Sequence, residues 1–319
     1  MIDQYAQKWI DVIENMKNSN TYKLAWGRAI LETIQDKENN DGVVIDFDEL
    51  SPKIIKYYWN QIYFFNLSQG TGKKPKIENI VNEMITKYQN DTSSKIPVWY
   101  EKANTLFAGT LYYNDTIKEV SNILTENVSW RFPRIGDTDN ELYILDLRKK
   151  TISFDNDQVE SLKDFAFPLS QLLNYRWAQL LELYNTAPRI SSKVRGISDN
   201  KLRRNNLKKY RDILLNMFDG DPIDFYTGKV LEENDISVDH VIPWSFMYSD
   251  DIWNLVLTSK SSNSLKSNMI PSAGIISKLK ARNEELLKHI NDHTQAELLE
   301  EAIKNDYLDK YYNACRMGI

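Results

Sequence analysis

Apolar residues recur at three- and four-residue spacing through much of the first 190 residues, which predicts a mainly helical region. The predicted helices cover Tyr5–Met16, Tyr22–Ile34, Leu50–Phe65, Ile77–Tyr88 and Ser170–Tyr184. Shorter β-like runs occupy Val43–Phe47 and a hairpin formed by Glu141–Leu147 and Thr151–Phe154. We therefore expect residues 1–190 to form a helical-rich domain.

The pattern changes after this region. Thr186–Ser198 is rich in proline, glycine and serine, and this composition predicts a linker. Asn200–Phe218 returns to helical spacing, and residues 237–268 then follow the order strand, loop, strand, helix. The predicted class is α+β, with a mainly helical domain over 1–190, a basic linker and helix over 191–221, and a small domain with flanking helices over 222–319.

The composition is that of an ordinary globular protein, because 42% of the 319 residues are hydrophobic and 27% are charged. No run approaches the roughly 18 apolar residues that a membrane helix needs, and the acidic, amphipathic start is unlike a signal peptide. We expect a cytoplasmic protein without membrane contact. The single cysteine, Cys315, excludes an intrachain disulfide and a cysteine-based zinc site.

The formal net charge of −5 is unevenly distributed. Nine basic residues and one acidic residue lie between Arg189 and Arg211. Because screening limits each charge to a range of about 10 Å, this local excess can bind phosphates despite the negative total. The predicted nucleic-acid contacts are Lys201, Arg203, Arg204, Lys208 and Arg211. The alternative is an ordinary solvated helix face.

Three polar residues in the strand–loop–strand–helix segment form a candidate reaction site. Asp239 and His240 are adjacent on the first predicted strand, so their side chains should leave opposite sides of the backbone. One can hold a metal while the other addresses a water molecule. Asn263, on the helix after the second strand, can return an oxygen to the same metal.

These motifs resemble the HNH, or ββα-metal, endonuclease family, and especially the HNH domain of the RNA-guided CRISPR effector nucleases. Asn254 and Asn263 follow His240 by 14 and 23 positions, as in those domains. The resemblance implies that Asp239 and Asn263 bind Mg²⁺ or Mn²⁺ and that His240 is the general base. It also implies that Asn254 holds the loop and orients His240, while Lys266 contacts the scissile phosphate.

Some standalone bacterial HNH proteins, which the chain also resembles, bind a structural zinc through two C-x-x-C pairs. Here the equivalent stretches are Asp224–Leu231 and Ser259–Asn263, which contain no cysteine. No structural zinc is therefore expected. We predict that packing of Phe225, Tyr226 and Val230 holds this hairpin instead.

The resemblance implies an endonuclease that cuts DNA to 5′-phosphate and 3′-hydroxyl ends, in restriction or another anti-phage defence role. Two alternatives remain at this point. The chain can be a nuclease subunit that a partner or signal activates, or a catalytically silent DNA-binding module. DNA is the expected partner, a protein partner for the N-terminal domain is possible, and a homodimer would suit cutting of both strands.

Overall fold

The computed structural model describes residues 3–39, 41–70, 72, 74–196 and 206–317. These residues divide into two compact units. Unit 1 consists of the described residues within 1–94, 98–185 and 190–198, and unit 2 of those within 95–97, 186–189 and 199–319. No helix in these described ranges is long and apolar enough to cross a lipid bilayer.

Unit 1 is mainly helical. Its described helices are α1 (Gln4–Asn15), α2 (Tyr22–Asp36), α3 (Phe47–Trp59), α4 (Lys76–Thr92), α5 (Tyr100–Phe107), α6 (Leu111–Asn127), α7 (Asn156–Asp164), α8 (Ala166–Tyr184) and α9 (Ile190–Gly196). Its described strands are β1 (Val43–Asp46), β2 (Arg134–Ile135), β3 (Thr138–Asp139), β4 (Ile144–Asp146) and β5 (Thr151–Phe154). A π-helical turn over Asn60–Phe64 continues α3. The five helices that the spacing predicts are all present. Their bounds differ from the predicted ones by a few residues, and α4 and α8 are longer than predicted.

The small sheet of unit 1 has the strand order β1-β5-β4, and both pairings are antiparallel. The predicted hairpin is therefore confirmed, and β1 joins it through pairs such as Val43 with Phe154. At the end of β1, Asp46 and Glu49 form a capping box that starts α3. The aromatic face of α3 lies inside, since Tyr57, Tyr58 and Trp59 are fully buried.

The predicted linker over Thr186–Ser198 is wrong for its central part. Ile190–Gly196 forms α9, which packs on α8 within unit 1. Ile190 and Val194 lie four residues apart and are both buried, so they share one helix face directed at the core. This apolar spacing outweighs the turn-forming composition of the segment.

Unit 2 contains the predicted strand–loop–strand–helix order. Its described helices are α10 (Lys208–Leu215), α11 (Trp244–Met247), α12 (Lys260–Lys266), α13 (Ala273–His289), α14 (His293–Lys304) and α15 (Tyr307–Met317), and its described strands are β6 (Ile236–His240) and β7 (Leu255–Ser259). Short 3₁₀ turns cover Glu233–Asp235 and Ile252–Asn254. Helix α10 is shorter than the predicted Asn200–Phe218, of which residues 200–205 lie outside the described ranges.

The strands β6 and β7 pair antiparallel, with Asp239 opposite Val256 and His240 opposite Leu255. Buried residues of both strands and of α13 form the core of unit 2, including Leu255 and Leu279, which are fully buried. Helix α12 follows β7 directly, and the Ser259 side chain caps its first turn by accepting from Ser262 N. The helix content and small sheets of both units are consistent with the α+β class.

Candidate active site

The pairing of β6 with β7 and the turn into α12 bring the predicted site residues to one polar cleft. The cleft has a volume of about 260 Å³ and is lined by Asp239, His240, Trp244, Asn263, Ser264, Ser267 and Asn268. Asp239 and His240 are 6% and 7% exposed, so only a small part of each side chain meets solvent. Although adjacent on β6, both side chains border the cleft, and they have different partners.

The carboxylate of Asp239 is held by two donors. Tyr226 donates its hydroxyl to Asp239 Oδ2 at 2.5 Å, and Lys266 Nζ lies 3.0 Å from the same oxygen. Burial and the charge of Asp239 raise the pKa of Tyr226, so its hydroxyl stays protonated and remains a donor. These contacts fix the orientation of a carboxylate at the edge of the cleft.

Asn263 supplies a second oxygen at this cleft. Its side-chain nitrogen donates to Ser237 Oγ at 2.8 Å. This bond directs the amide nitrogen toward β6, so the side-chain carbonyl oxygen does not take part in it. A carboxylate and an amide oxygen are ligands that suit Mg²⁺ or Mn²⁺. The donor set therefore fits the expected metal.

No group of three His, Cys, Asp or Glu side chains suited to a metal occurs in the described parts of the chain. A cation held by Asp239 and Asn263 would thus take its remaining ligands from water and from the substrate phosphate, which is ordinary behaviour for Mg²⁺. The residues fit a site of this open kind rather than a closed structural one.

His240 is paired with an acidic residue that the sequence analysis did not single out. Its Nε2 lies 2.9 Å from Asp250 Oδ1, and the two side chains are 8% and 7% exposed. Asp250 belongs to the loop between α11 and the Ile252–Asn254 turn. The sequence signal for it was weak, because an acidic residue in a loop is usually solvated and Asp251 beside it has the same chemistry.

Asn254 lies at the base of the loop between β6 and β7. It is fully buried, its Oδ1 accepts from Ile242 N at 2.8 Å, and its Nδ2 donates to Ile242 O at 2.9 Å. This reciprocal pair closes the loop two residues after His240. The contact that reaches the His240 ring comes from Asp250, so orientation of that ring by Asn254 is indirect in this arrangement.

Lys266 lies at the end of α12, within the site. Besides its contact with Asp239, its ammonium donates to the backbone oxygen of His240 at 2.5 Å. The side chain is 11% exposed. A contact between Lys266 and a scissile phosphate stays a prediction.

The hairpin that precedes β6 is held by hydrogen bonds as well as by the predicted packing of Phe225 and Tyr226. Asp224, 2% exposed, accepts from the backbone nitrogens of Tyr226 and Thr227 through Oδ1, and from Ser259 N and Thr258 Oγ1 through Oδ2. Phe225 is buried, as expected. The expected packing of Val230 is wrong, because this residue is 63% exposed.

The predicted nucleic-acid contacts are only partly described by the structure. Lys201, Arg203 and Arg204 lie outside the described ranges. Lys208 is exposed at the start of α10, whereas Arg211 is half-buried and donates to the backbone oxygen of Glu233 at 3.2 Å. Lys208 is therefore the described member of this set that projects into solvent.

Comparison with known proteins identifies the segment that carries the cleft. The family described as HNH endonuclease matches residues 224–272. Residues 224–272 form an HNH endonuclease domain. Within it, Asp239 and His240 lie on β6, Asn254 ends the 3₁₀ turn before β7, and Asn263 lies on α12.

Two curated relatives match the chain over this HNH domain. They are the CRISPR-associated endonuclease Cas9 of Streptococcus mutans, 39% identical over 67 residues, and that of Listeria innocua, 39% identical over 66 residues. Each match covers 20% of this chain but 5% of the relative. The chain thus spans about a twentieth of the length of these relatives. No solved structure matches the chain.

The Tyr226 hydroxyl bond predicts a metal-affinity effect within the HNH domain. Tyr226→Phe removes a donor from Asp239 Oδ2, so the carboxylate loses part of its fixed orientation. We expect metal affinity to fall by about 10-fold, within the range usual for residues that orient metal ligands. Calorimetric titration with Mn²⁺ measures the change. Tyr311→Phe is the matched control, since Tyr311 stacks on Trp253 and its ring is retained. Equal Mn²⁺ affinity in both variants would contradict this role of Tyr226.

Proposed function

We propose that this protein is a metal-dependent endonuclease that hydrolyses phosphodiester bonds in DNA and leaves 5′-phosphate and 3′-hydroxyl ends. The observation that carries the proposal is the meeting of Asp239, His240 and Asn263 at one polar cleft of the HNH domain. A carboxylate, an imidazole and an amide at this spacing match what phosphodiester hydrolysis needs, namely cation ligands and a base.

Asp239 and Asn263 are the residues that would hold Mg²⁺ or Mn²⁺ in this site. When bound, the cation would neutralise the negative charge that develops on the phosphate and on the departing 3′ oxygen. Tyr226 keeps the Asp239 carboxylate in place, and Ser237 does the same for the Asn263 amide. The Lys266 ammonium adds a positive charge at the same edge of the cleft, where a substrate phosphate would meet it.

His240 is assigned the role of general base. Its imidazole takes a proton from a water molecule whose oxygen forms a bond to phosphorus, and the bond from phosphorus to the 3′ oxygen breaks. The departing 3′ oxygen takes up a proton from water. The products are then one 5′-phosphate and one 3′-hydroxyl, so atoms and charge balance.

DNA is the proposed substrate, and the basic residues before the HNH domain are its proposed backbone contacts. Lys208 is exposed on α10, and Lys201, Arg203, Arg204 and Arg211 complete the proposed set. Such contacts bind phosphates without reading sequence. We further propose restriction or another form of anti-phage defence as the biological setting, by analogy with standalone HNH proteins.

The test is cleavage of supercoiled plasmid, phage DNA and host chromosomal DNA by the purified chain with Mg²⁺ or Mn²⁺. EDTA removes the cation, and Asp239→Ala removes its proposed carboxylate ligand. We expect cutting with the metal and a loss of at least about 10²-fold in each control. Labelling of the new ends distinguishes 5′-phosphate from 5′-hydroxyl products.

Cutting that persists in EDTA, or that Asp239→Ala leaves unchanged, would refute the metal-dependent mechanism. Equal cutting of phage DNA and of chromosomal DNA isolated from the host would count against the defence role while leaving the nuclease activity in place. A folded protein that binds Mn²⁺ but cuts none of the three substrates would favour the silent-module or partner-activated alternatives.

A further inference from the structure

The loop between β6 and β7 is built so that one carboxylate reaches the His240 ring. After α11 the chain turns at Tyr248, whose φ of 54° is left-handed. The Ser249 hydroxyl then donates to the carboxylate of Asp251, and Asn254 N donates to Asp251 O at 2.8 Å. These contacts hold Asp251 inside the loop and leave Asp250, its neighbour, on the side of His240.

The contact between Asp250 and His240 decides which ring nitrogen carries the proton. An ionised carboxylate only accepts hydrogen bonds, so Nε2, 2.9 Å from Asp250 Oδ1, must be the protonated nitrogen. In a neutral imidazole the other nitrogen, Nδ1, then has a lone pair. Since His240 lines the cleft, Nδ1 is the nitrogen able to accept a proton there.

We propose that Asp250 is a positioning residue for the reaction. It holds the neutral His240 ring in the Nε2-protonated tautomer, fixes the ring plane, and stabilises the imidazolium that forms when Nδ1 takes the proton from water. This inference rests on the proposed function for its catalytic part. The tautomer itself is a property of the folded protein and is independent of any activity.

Burial strengthens the case for this pair. Both side chains are less than a tenth exposed, so a charge on Asp250 without a donor would be costly. The amide of Asn254 closes the same loop on Ile242, two residues after His240. The loop backbone that carries Asp250 is therefore tied to the chain just after His240, and the ring cannot turn away without breaking its contact with Asp250.

Asp250→Asn tests the tautomer directly. An amide can donate to Nε2, which would move the ring proton to Nδ1 and block the base. We expect kcat for DNA cleavage to fall by about 10²-fold or more, with KM nearly unchanged, as for loss of a group that acts only in the transition state.

The kcat of Asp250→Ala should fall less steeply, because this change removes the carboxylate without imposing the wrong tautomer. Asp221→Asn is the control for the same chemical change, since Asp221 is exposed and lies outside this loop, and we expect nearly full activity.

The second measurement is the imidazole ¹⁵N spectrum of the full-length protein labelled at histidine. The chain contains three histidines, so His240 is assigned by comparison with His289→Gln and His293→Gln variants. We expect a protonated Nε2 and an unprotonated Nδ1 for neutral His240 in the wild type, the reverse or a mixture in Asp250→Asn, and no change in Asp221→Asn.

Two outcomes would overturn the inference. One is a wild-type His240 ring protonated at Nδ1, and the other is an Asp250→Asn variant whose tautomer and kcat match those of Asp221→Asn. If the wild-type protein cuts no DNA, the proposed function fails, but the spectrum still decides whether Asp250 sets the tautomer. If the protein cuts and the spectrum of Asp250→Asn is unaltered, the activity stands and the positioning role falls.

Discussion

Replacement of His240 by glutamine is expected to lower kcat for DNA cleavage by about 10²- to 10⁴-fold, while folding and DNA affinity persist. Glutamine retains an amide donor for Asp250 Oδ1, so the buried carboxylate keeps a partner, but an amide cannot take a proton from water at neutral pH. The loss should fall on kcat and spare KM, because the base acts in the chemical step and not in substrate binding.

His289→Gln is the matched control for this substitution. His289 lies at the end of α13 and pairs with Glu285 at 3.0 Å on the surface, so the same change there should leave cleavage intact. Single-turnover cleavage rates with Mg²⁺ measure the chemical step, and DNA binding in EDTA measures affinity separately. A His240→Gln variant that cuts within about tenfold of the wild type would exclude His240 as the base.

The central geometry of the site was predictable because it depends on local pattern. Short runs with apolar residues mark the strands β6 and β7, and the helix α12 follows β7 directly. Once these three elements are adjacent in sequence, their pairing places Asp239 and Asn263 at one cleft without any long-range contact. The adjacency of Asp239 and His240 on β6 did not predict their shared cleft, since His240 is the last residue of the strand and the chain turns there.

Asp250 was not predictable in the same way. Its contact with His240 depends on the left-handed turn at Tyr248 and on the side-chain bonds that hold Asp251 in the loop. Neither feature has a periodic signature, and tyrosine is not a residue that marks a left-handed turn. Residues in irregular loops acquire their partners from backbone geometry, which single-sequence reasoning does not provide.

Residue type alone does not decide burial at two places in the chain. The proline, glycine and serine content of Thr186–Ser198 predicts a linker, although Ile190 and Val194 share one buried helix face. Val230 is hydrophobic, but it is 63% exposed. In both cases the position of the residue in the backbone pattern decides its burial.

The sequence shows that the cysteines of the zinc-binding HNH proteins are absent here, but it does not show which contacts take the place of the zinc. Asp224 and Thr227 stand at the spacing of one C-x-x-C pair, and Ser259 and Ser262 at that of the other. Asp224 Oδ2 accepts from Ser259 N at 2.8 Å, and Ser259 Oγ donates to Ser262 Oγ at 2.8 Å. Hydrogen bonds centred on one carboxylate therefore join the two segments that a zinc ion joins in the zinc-binding proteins.

Asp224→Ala is expected to destabilise unit 2 by about 3 kcal/mol, because it removes a buried carboxylate that accepts four hydrogen bonds. The donors of these bonds are the backbone nitrogens of Tyr226, Thr227 and Ser259 and the hydroxyl of Thr258. The protein is titrated with guanidinium, and pulsed hydrogen exchange is measured for residues 236–259. This exchange reports the free energy of unfolding of unit 2 separately from that of unit 1. Asp221→Ala, at an exposed position of the same loop, should change it by less than about 0.5 kcal/mol.

The pH dependence of this effect has a defined sign. Burial raises the pKa of Asp224, but the donors from Ser259, Thr227 and Tyr226 outweigh burial and hold that pKa well below its ordinary value. The folded protein therefore binds this proton more weakly than the unfolded chain does. The contribution of Asp224 to stability is complete above the unfolded pKa of about 3.9 and decreases as the pH falls below it. The difference in the free energy of unfolding between wild type and Asp224→Ala should therefore shrink in acid. A difference that stays constant down to about pH 3 would show that the Asp224 charge does not stabilise the hairpin.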